Sequence, residues 1–152
     1  EAMALFGGAY FARKALAILV PLLALFISDL ALGLIMGGEY FSYFTSAGFW
    51  LVYATIAGLS LMGFGLRGRV SFGRVTGYSL LSALLFFLVT NFGVWWGASF
   101  YPQNFNGLIA AYVAGLPFLQ NGLLGTLFYA AVLFGGYELL KTRLPQLGAQ
   151  HA

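Results

Sequence analysis

The side chains of this chain that could do chemistry are few, and they sit in apolar surroundings. Asp29 lies inside the run VPLLALFISDLALG, where a carboxylate at the centre of a membrane span costs about 2.5–3.5 kcal/mol on insertion scales unless it is paired, protonated or facing water. By helical rise it falls in the outer half of its span. Asn91 falls at a comparable depth in FFLVTNFGVWW, beside Thr90 and four residues before Trp95. Together they could line a pocket that opens outward, with Asp29 as ligand or hydrogen-bond acceptor and Asn91 as the adaptable amide. Tyr101, Asn104 and Asn106 follow in WWGASFYPQNFN, next to Pro102, and Gln120 and Asn121 come just after Pro117, a position that suits a helix N-terminus. Aromatic faces with a few amides can close over a planar small molecule. Asp29, Asn91, Tyr101, Asn104 and Asn121 are therefore the candidate substrate-binding residues.

Each has a plainer alternative. Asp29 could hydrogen-bond a neighbouring helix end, and Asn91 could bridge two helices. Trp96, Tyr40 and Tyr43 fit the aromatic belt of a membrane interface. Glu138, three residues before Lys141, is accounted for by an intrahelical ion pair.

No catalytic constellation is present. GFGLRGR at 63–69 lacks the Lys-Ser/Thr of a phosphate-binding loop, and a lone acid without a second catalytic group argues against an intramembrane enzyme. The absence of Cys excludes disulfides and thiolate metal sites, and the one His, His151, stands in the polar stretch LPQLGAQHA, so no cofactor or metal is expected.

The elements that must hold these residues are membrane helices. The chain is 61% hydrophobic and 7% charged, far below the charged fraction of about 25% in soluble domains. Its cations form the clusters Arg13/Lys14, Arg67/Arg69/Arg74 and Lys141/Arg143. They flank apolar runs and never gather into one solvated surface, which argues against nucleic acid. A bilayer needs about 20 apolar residues per helix, and 15–36, 46–66, 75–97 and 118–140 meet that length. Alternating spans then put every basic cluster on one face, which the positive-inside rule makes cytoplasmic. Segments 37–45 and 98–117 face outward.

Two apolar pieces, 2–12 and 107–116, reach only half a span and are expected to be short, tilted or re-entrant helices. They resemble each other at an offset of 107, pairing Ala4 with Ala111 and Gly8 with Gly115, which suggests an internal repeat. Small residues four apart, among them Ala4/Gly8 and Ala111/Gly115, allow close helix packing. Pro21 should disturb the first span. The expected fold is all-α and integral to the membrane: one transmembrane domain over 1–143 and a polar tail over 144–152. Position 1 is Glu, so the native N-terminus is expected to be missing or processed.

At ALFGGAYF (4–11), VPLLALFISDLALG (20–33), FFLVTNFGVWW (86–96) and AYVAGLPFLQNGLLGTLFY (111–129) the chain resembles an uncharacterised bacterial family of transport-type membrane proteins, itself similar in topology to the S components of energy-coupling-factor vitamin transporters. The resemblance implies a further N-terminal helix and a six-helix bundle with both termini cytoplasmic. It also implies that outward loops enclose a substrate, with Asp29, Asn91, Tyr101, Asn104 and Asn121 at or near it. Partner subunits would supply the energy. The expected function is a small-molecule transport or substrate-binding subunit of the bacterial inner membrane. The alternative is an accessory subunit packed by its small-residue stripes against a larger membrane complex.

Overall fold

A computed structural model describes residues 1–97 and 99–144, so the expected tail and His151 fall almost wholly outside the described residues. The described chain is all-helical. In order it comprises α1 (Ala2–Tyr10), α2 (Lys14–Met36), α3 (Gly38–Tyr43), α4 (Ala47–Gly63) with a 3₁₀ turn at Phe64–Leu66, α5 (Phe72–Gly97), α6 (Phe105–Ala130), a π-turn at Ala131–Gly135 and α7 (Gly136–Arg143). Four helical stretches are long and apolar enough to cross a membrane: Lys14–Met36, Ala47–Leu66, Phe72–Gly97 and Phe105–Arg143.

Local sequence explains the boundaries. Ser46 caps α4 by accepting the Phe49 amide at 3.1 Å, and Asn104 caps α6 by accepting the Gly107 amide at 3.0 Å. Gly37, at φ 86°, turns the chain from α2 into α3, a conformation open to glycine at little cost.

The last span differs from the expectation. Residues 107–116 are not a separate half-span but the first turns of α6, and Pro117 lies inside that helix instead of opening it. Through the π-turn the helix continues to Arg143, 39 residues in all. At 1.5 Å per residue that is about 58 Å, nearly twice the hydrocarbon thickness. The other short piece is indeed a short helix, α1.

α1 is the centre of the bundle. Ala2, Ala4, Leu5, Gly7, Gly8 and Ala9 are all buried, Leu5 completely. One face of α1 packs Ala4 with Ile56 and Leu59 of α4, beside Leu22 and Leu25 of α2. The other packs Ala2, Leu5 and Ala9 with Leu66, Val75, Ala130 and Phe134. Glycine lets α1 sit so deep. A Cβ on Gly8 would stand 2.3 Å from the Ser60 carbonyl oxygen, and one on Gly63 would stand 2.6 Å from the Leu5 carbonyl oxygen. The backbones of α1 and α4 are thus in direct contact, the close approach that small residues permit between membrane helices. Gly7 does the same against α2, where its Cβ would meet the Ala17 oxygen at 3.1 Å and the buried Pro21 ring at 3.7 Å. α2 runs unbroken through Pro21.

Around this centre, apolar side chains point outward. Leu34 and Ile35 are 81% exposed, and Trp50, Leu124 and Phe128 are exposed as well. In water such a surface would drive aggregation; in a bilayer it is the lipid contact.

Arg67 fastens the end of α1. Its Nε donates to the Gly8 carbonyl and its Nη2 to the Phe11 carbonyl, both at 2.8 Å, and its guanidinium stacks 4.4 Å from the Phe64 ring centre. A cation at these carbonyls satisfies groups the helix leaves open and suits the negative end of its dipole. Lys14 also approaches the Phe64 ring, and Lys141 the Tyr10 ring. These contacts bring members of all three basic clusters to one end of the bundle.

Adding a methyl group at the α1–α4 contact should therefore cost stability. Gly8→Ala and Gly63→Ala are each expected to lose about 1–3 kcal/mol, the cost of overpacking a closed contact. Gly58→Ala, whose Cβ would meet nothing within 4 Å, should be neutral. Thermal unfolding in detergent, read by circular dichroism, separates the three.

Candidate functional site

Asp29 is buried, 8% exposed, in the fifth turn of α2. Its Oδ1 accepts the Tyr40 hydroxyl at 2.9 Å and its Oδ2 accepts the Tyr53 hydroxyl at 2.7 Å. The carboxyl group thereby ties α3 and α4 to α2. Among the described residues no lysine or arginine is its partner: it stands 15 residues along α2 from Lys14, about 22 Å by helical rise. Around it the rings of Tyr40, Tyr43, Phe44, Phe49 and Tyr53 form a continuous cluster, with Phe49 and Tyr53 centroids 4.4 Å apart. Burial, and then the negative charge of Asp29, push the Tyr43 hydroxyl above its ordinary range; burial followed by the Asp29 hydrogen bond and charge does the same to Tyr40.

This arrangement has clear chemical capacity. A carboxylate offers four acceptor positions, and two are filled by phenols. The remaining ones, walled by aromatic faces, suit an ammonium group or another hydrogen-bond donor.

The other candidate residues are distributed elsewhere. Asn91 donates from Nδ2 to the Phe87 carbonyl at 2.9 Å, and its Oδ1 lies where a Cβ on Gly115 would come within 2.3 Å. It therefore fills the close contact between α5 and α6. Tyr101 packs its ring against Phe100 at 4.8 Å, and Asn104 is the cap of α6. The connection around them is stapled internally: Trp95 Nε1 donates to the Pro102 carbonyl at 3.0 Å, and Gln103 Nε2 donates to the Trp95 carbonyl at 2.6 Å. Asn121 is exposed on the wall of α6, 17 residues after Asn104, about 25 Å along the axis. Because the helix starts at Phe105 and not at Pro117, Gln120 and Asn121 do not stand at its outer end.

Tyr53 was not among the candidates. A phenol in the middle of WLVYATI carries the signal that could have found it, since a buried tyrosine hydroxyl needs a partner and Asp29 is the one carboxylate inside a neighbouring apolar span. At the basic end, Glu138 pairs with Lys141 at 3.0 Å as expected and in addition accepts the hydroxyl of Tyr10 across the bundle. Among the described residues no group of His, Cys, Asp and Glu could hold a metal ion.

Residues 1–147 match the model of a protein family described as "Family of unknown function (DUF6580)", and the chain belongs to that family. Neither the curated proteins nor the solved structures contain a match to it.

The Asp29 cluster has a measurable signature in alkali. A raised hydroxyl pKa means that folding favours the neutral phenol. That stabilisation is complete below the ordinary tyrosine value of about 10 and is lost as pH rises through the folded value. Asp29→Asn should move the titration of Tyr40 part of the way back to lower pH, with burial holding the remainder. Ultraviolet absorbance of tyrosinate checks this, and an unchanged titration would sever the Tyr40–Asp29 link.

Proposed function

We propose that this member of the family is a small-molecule transport or substrate-binding subunit of the bacterial cytoplasmic membrane, with Asp29 as its principal recognition group. The observation that carries the reading is a buried carboxyl group, placed within an apolar span, whose partners are two tyrosine hydroxyls and no cation. Ionisable residues inside spans are costly and are retained where they serve a pathway or a ligand. Surplus acceptor capacity inside an aromatic wall fits a ligand that brings its own hydrogen-bond donors.

On this reading the end that gathers the basic clusters faces the cytoplasm, and the Asp29 end faces outward. Asn91 and Asn104 belong to the outer end of α5 and the start of α6, Tyr101 to the connection between them and Asn121 to the wall of α6, so on this reading they stay secondary to Asp29. No nucleotide-binding motif is present in the sequence. Transport would then draw on an ion gradient or on an energy-supplying partner, as the resemblance to S components suggests.

The test is affinity selection. Purified protein in nanodiscs, incubated with a bacterial small-molecule extract and washed, should retain a molecule identifiable by mass spectrometry. Asp29→Asn, which keeps one acceptor and removes the charge, should reduce its retention at least tenfold while the protein remains folded. Retention that is equal in wild type and variant, or absent from both, would count against the reading.

A further inference from the structure

A second candidate site lies at the opposite end of the bundle from Asp29. A cavity of 580 Å³ opens between the first turns of α5 and the stretch where α6 passes through the π-turn into α7. Pockets for small organic ligands span about 300–1,000 Å³. Its walls are mostly apolar, with Val75, Leu127, Ala130 and Phe134 prominent, and Glu138 stands at one edge. π-turns recur at functional sites because they displace the backbone where a ligand needs room. Here the π-turn supplies part of the wall.

Hydroxyls distinguish this cavity from a lipid-filled groove. Three belong to its lining: Ser71, which accepts the Arg74 amide at 3.4 Å, and Thr76 and Ser79, three residues apart on α5. Elsewhere on the long helices, the hydroxyls of Thr55, Ser60, Ser82 and Thr90 each donate to a backbone carbonyl, and Thr126 donates to the Glu1 carboxylate. Ser79 is fully buried, and its Oγ has no hydrogen-bond partner among the described residues. Thr76 is half-buried and its hydroxyl likewise makes no bond among them. An unpaired buried hydroxyl costs about 1–3 kcal/mol, and rotation about χ1 between staggered wells lets Ser79 turn toward an incoming acceptor. The carboxylate across the cavity does not serve these hydroxyls, since Glu138 is occupied by Lys141 and Tyr10.

We infer that this cavity binds an uncharged, mainly apolar molecule carrying a carbonyl-type oxygen, which takes the hydroxyls of Thr76 and Ser79 as donors. Charge on the ligand is disfavoured because the acid at the rim is already neutralised by Lys141. The site is independent of Asp29.

Benzophenone is a suitable probe, being a neutral diaryl ketone that inserts into neighbouring C–H bonds on irradiation. The full chain in phosphatidylcholine nanodiscs is irradiated over a concentration series, and insertion is mapped by peptide mass spectrometry. Insertion should saturate on the segments around 75–79 and 127–135 while rising linearly on the lipid-facing Leu34 and Ile35. The double variant Thr76→Val/Ser79→Ala should raise the half-saturating concentration at least threefold without lowering the thermal midpoint. Gly135→Leu, at a glycine whose Cβ would meet nothing within 4 Å, should fill the cavity and remove the saturable component. Linear insertion at the cavity, saturation indifferent to the double variant, or a lowered midpoint in it would each overturn the proposal, the last by showing that the hydroxyls serve the fold.

Discussion

The rest of the bundle depends on the contact between the backbones of α1 and α4. In a bilayer no hydrophobic force presses helices together, so association rests on close packing and on polar bonds between segments. Gly8 against Ser60 and Gly63 supplies the packing, and Arg67 supplies the bonds by closing the end of α1. α1 has only nine residues, too few to span a bilayer and too few to be a stable helix in isolation. Held in this position it becomes the surface on which α2, α4, α5 and α6 meet, and its two faces nucleate the two apolar clusters.

Much of this was legible in the sequence, for a physical reason. Hydrocarbon demands long apolar helices, so the expected spans 15–36, 46–66 and 75–97 agree closely with Lys14–Met36, Ala47–Leu66 and Phe72–Gly97. The fourth was misjudged because Pro117 looked like a start signal. Proline inside a membrane helix is tolerated when its surroundings meet the freed backbone group, and the true start signal was Asn104, whose side chain caps the helix. Small residues four apart marked tight helix packing in general, and Ala4 and Gly8 are both buried in α1. Their counterpart on α4 was Ser60 and Gly63, three residues apart, a spacing that a search for small residues four apart passes over.

The candidate site was legible as residues but not as a grouping. Asp29 stands out in any hydropathy reading, yet its partners come from 11 and 24 residues downstream, and their convergence depends on the turn at Gly37 that folds α3 back over α2. Asn91 and Asn104 were singled out for being polar in apolar surroundings. Each satisfies a local requirement instead, one at a helix–helix contact and one at a helix start. Polar groups in such a chain must find partners wherever they lie, so polarity alone does not separate recognition from construction.

The π-turn changes the angular phase of everything that follows it. It accommodates one residue more than an α-helix would over the same stretch, and one residue is an angular step of about 100°. Glu138 and Lys141 thus meet Tyr10 of α1 because of an extra residue upstream. In an uninterrupted helix the same side chains would point more than a quarter-turn around the axis. Among relatives, an insertion or deletion within 131–135 would therefore leave the helix nearly as long as before while choosing a different neighbour for its terminal acid–base pair.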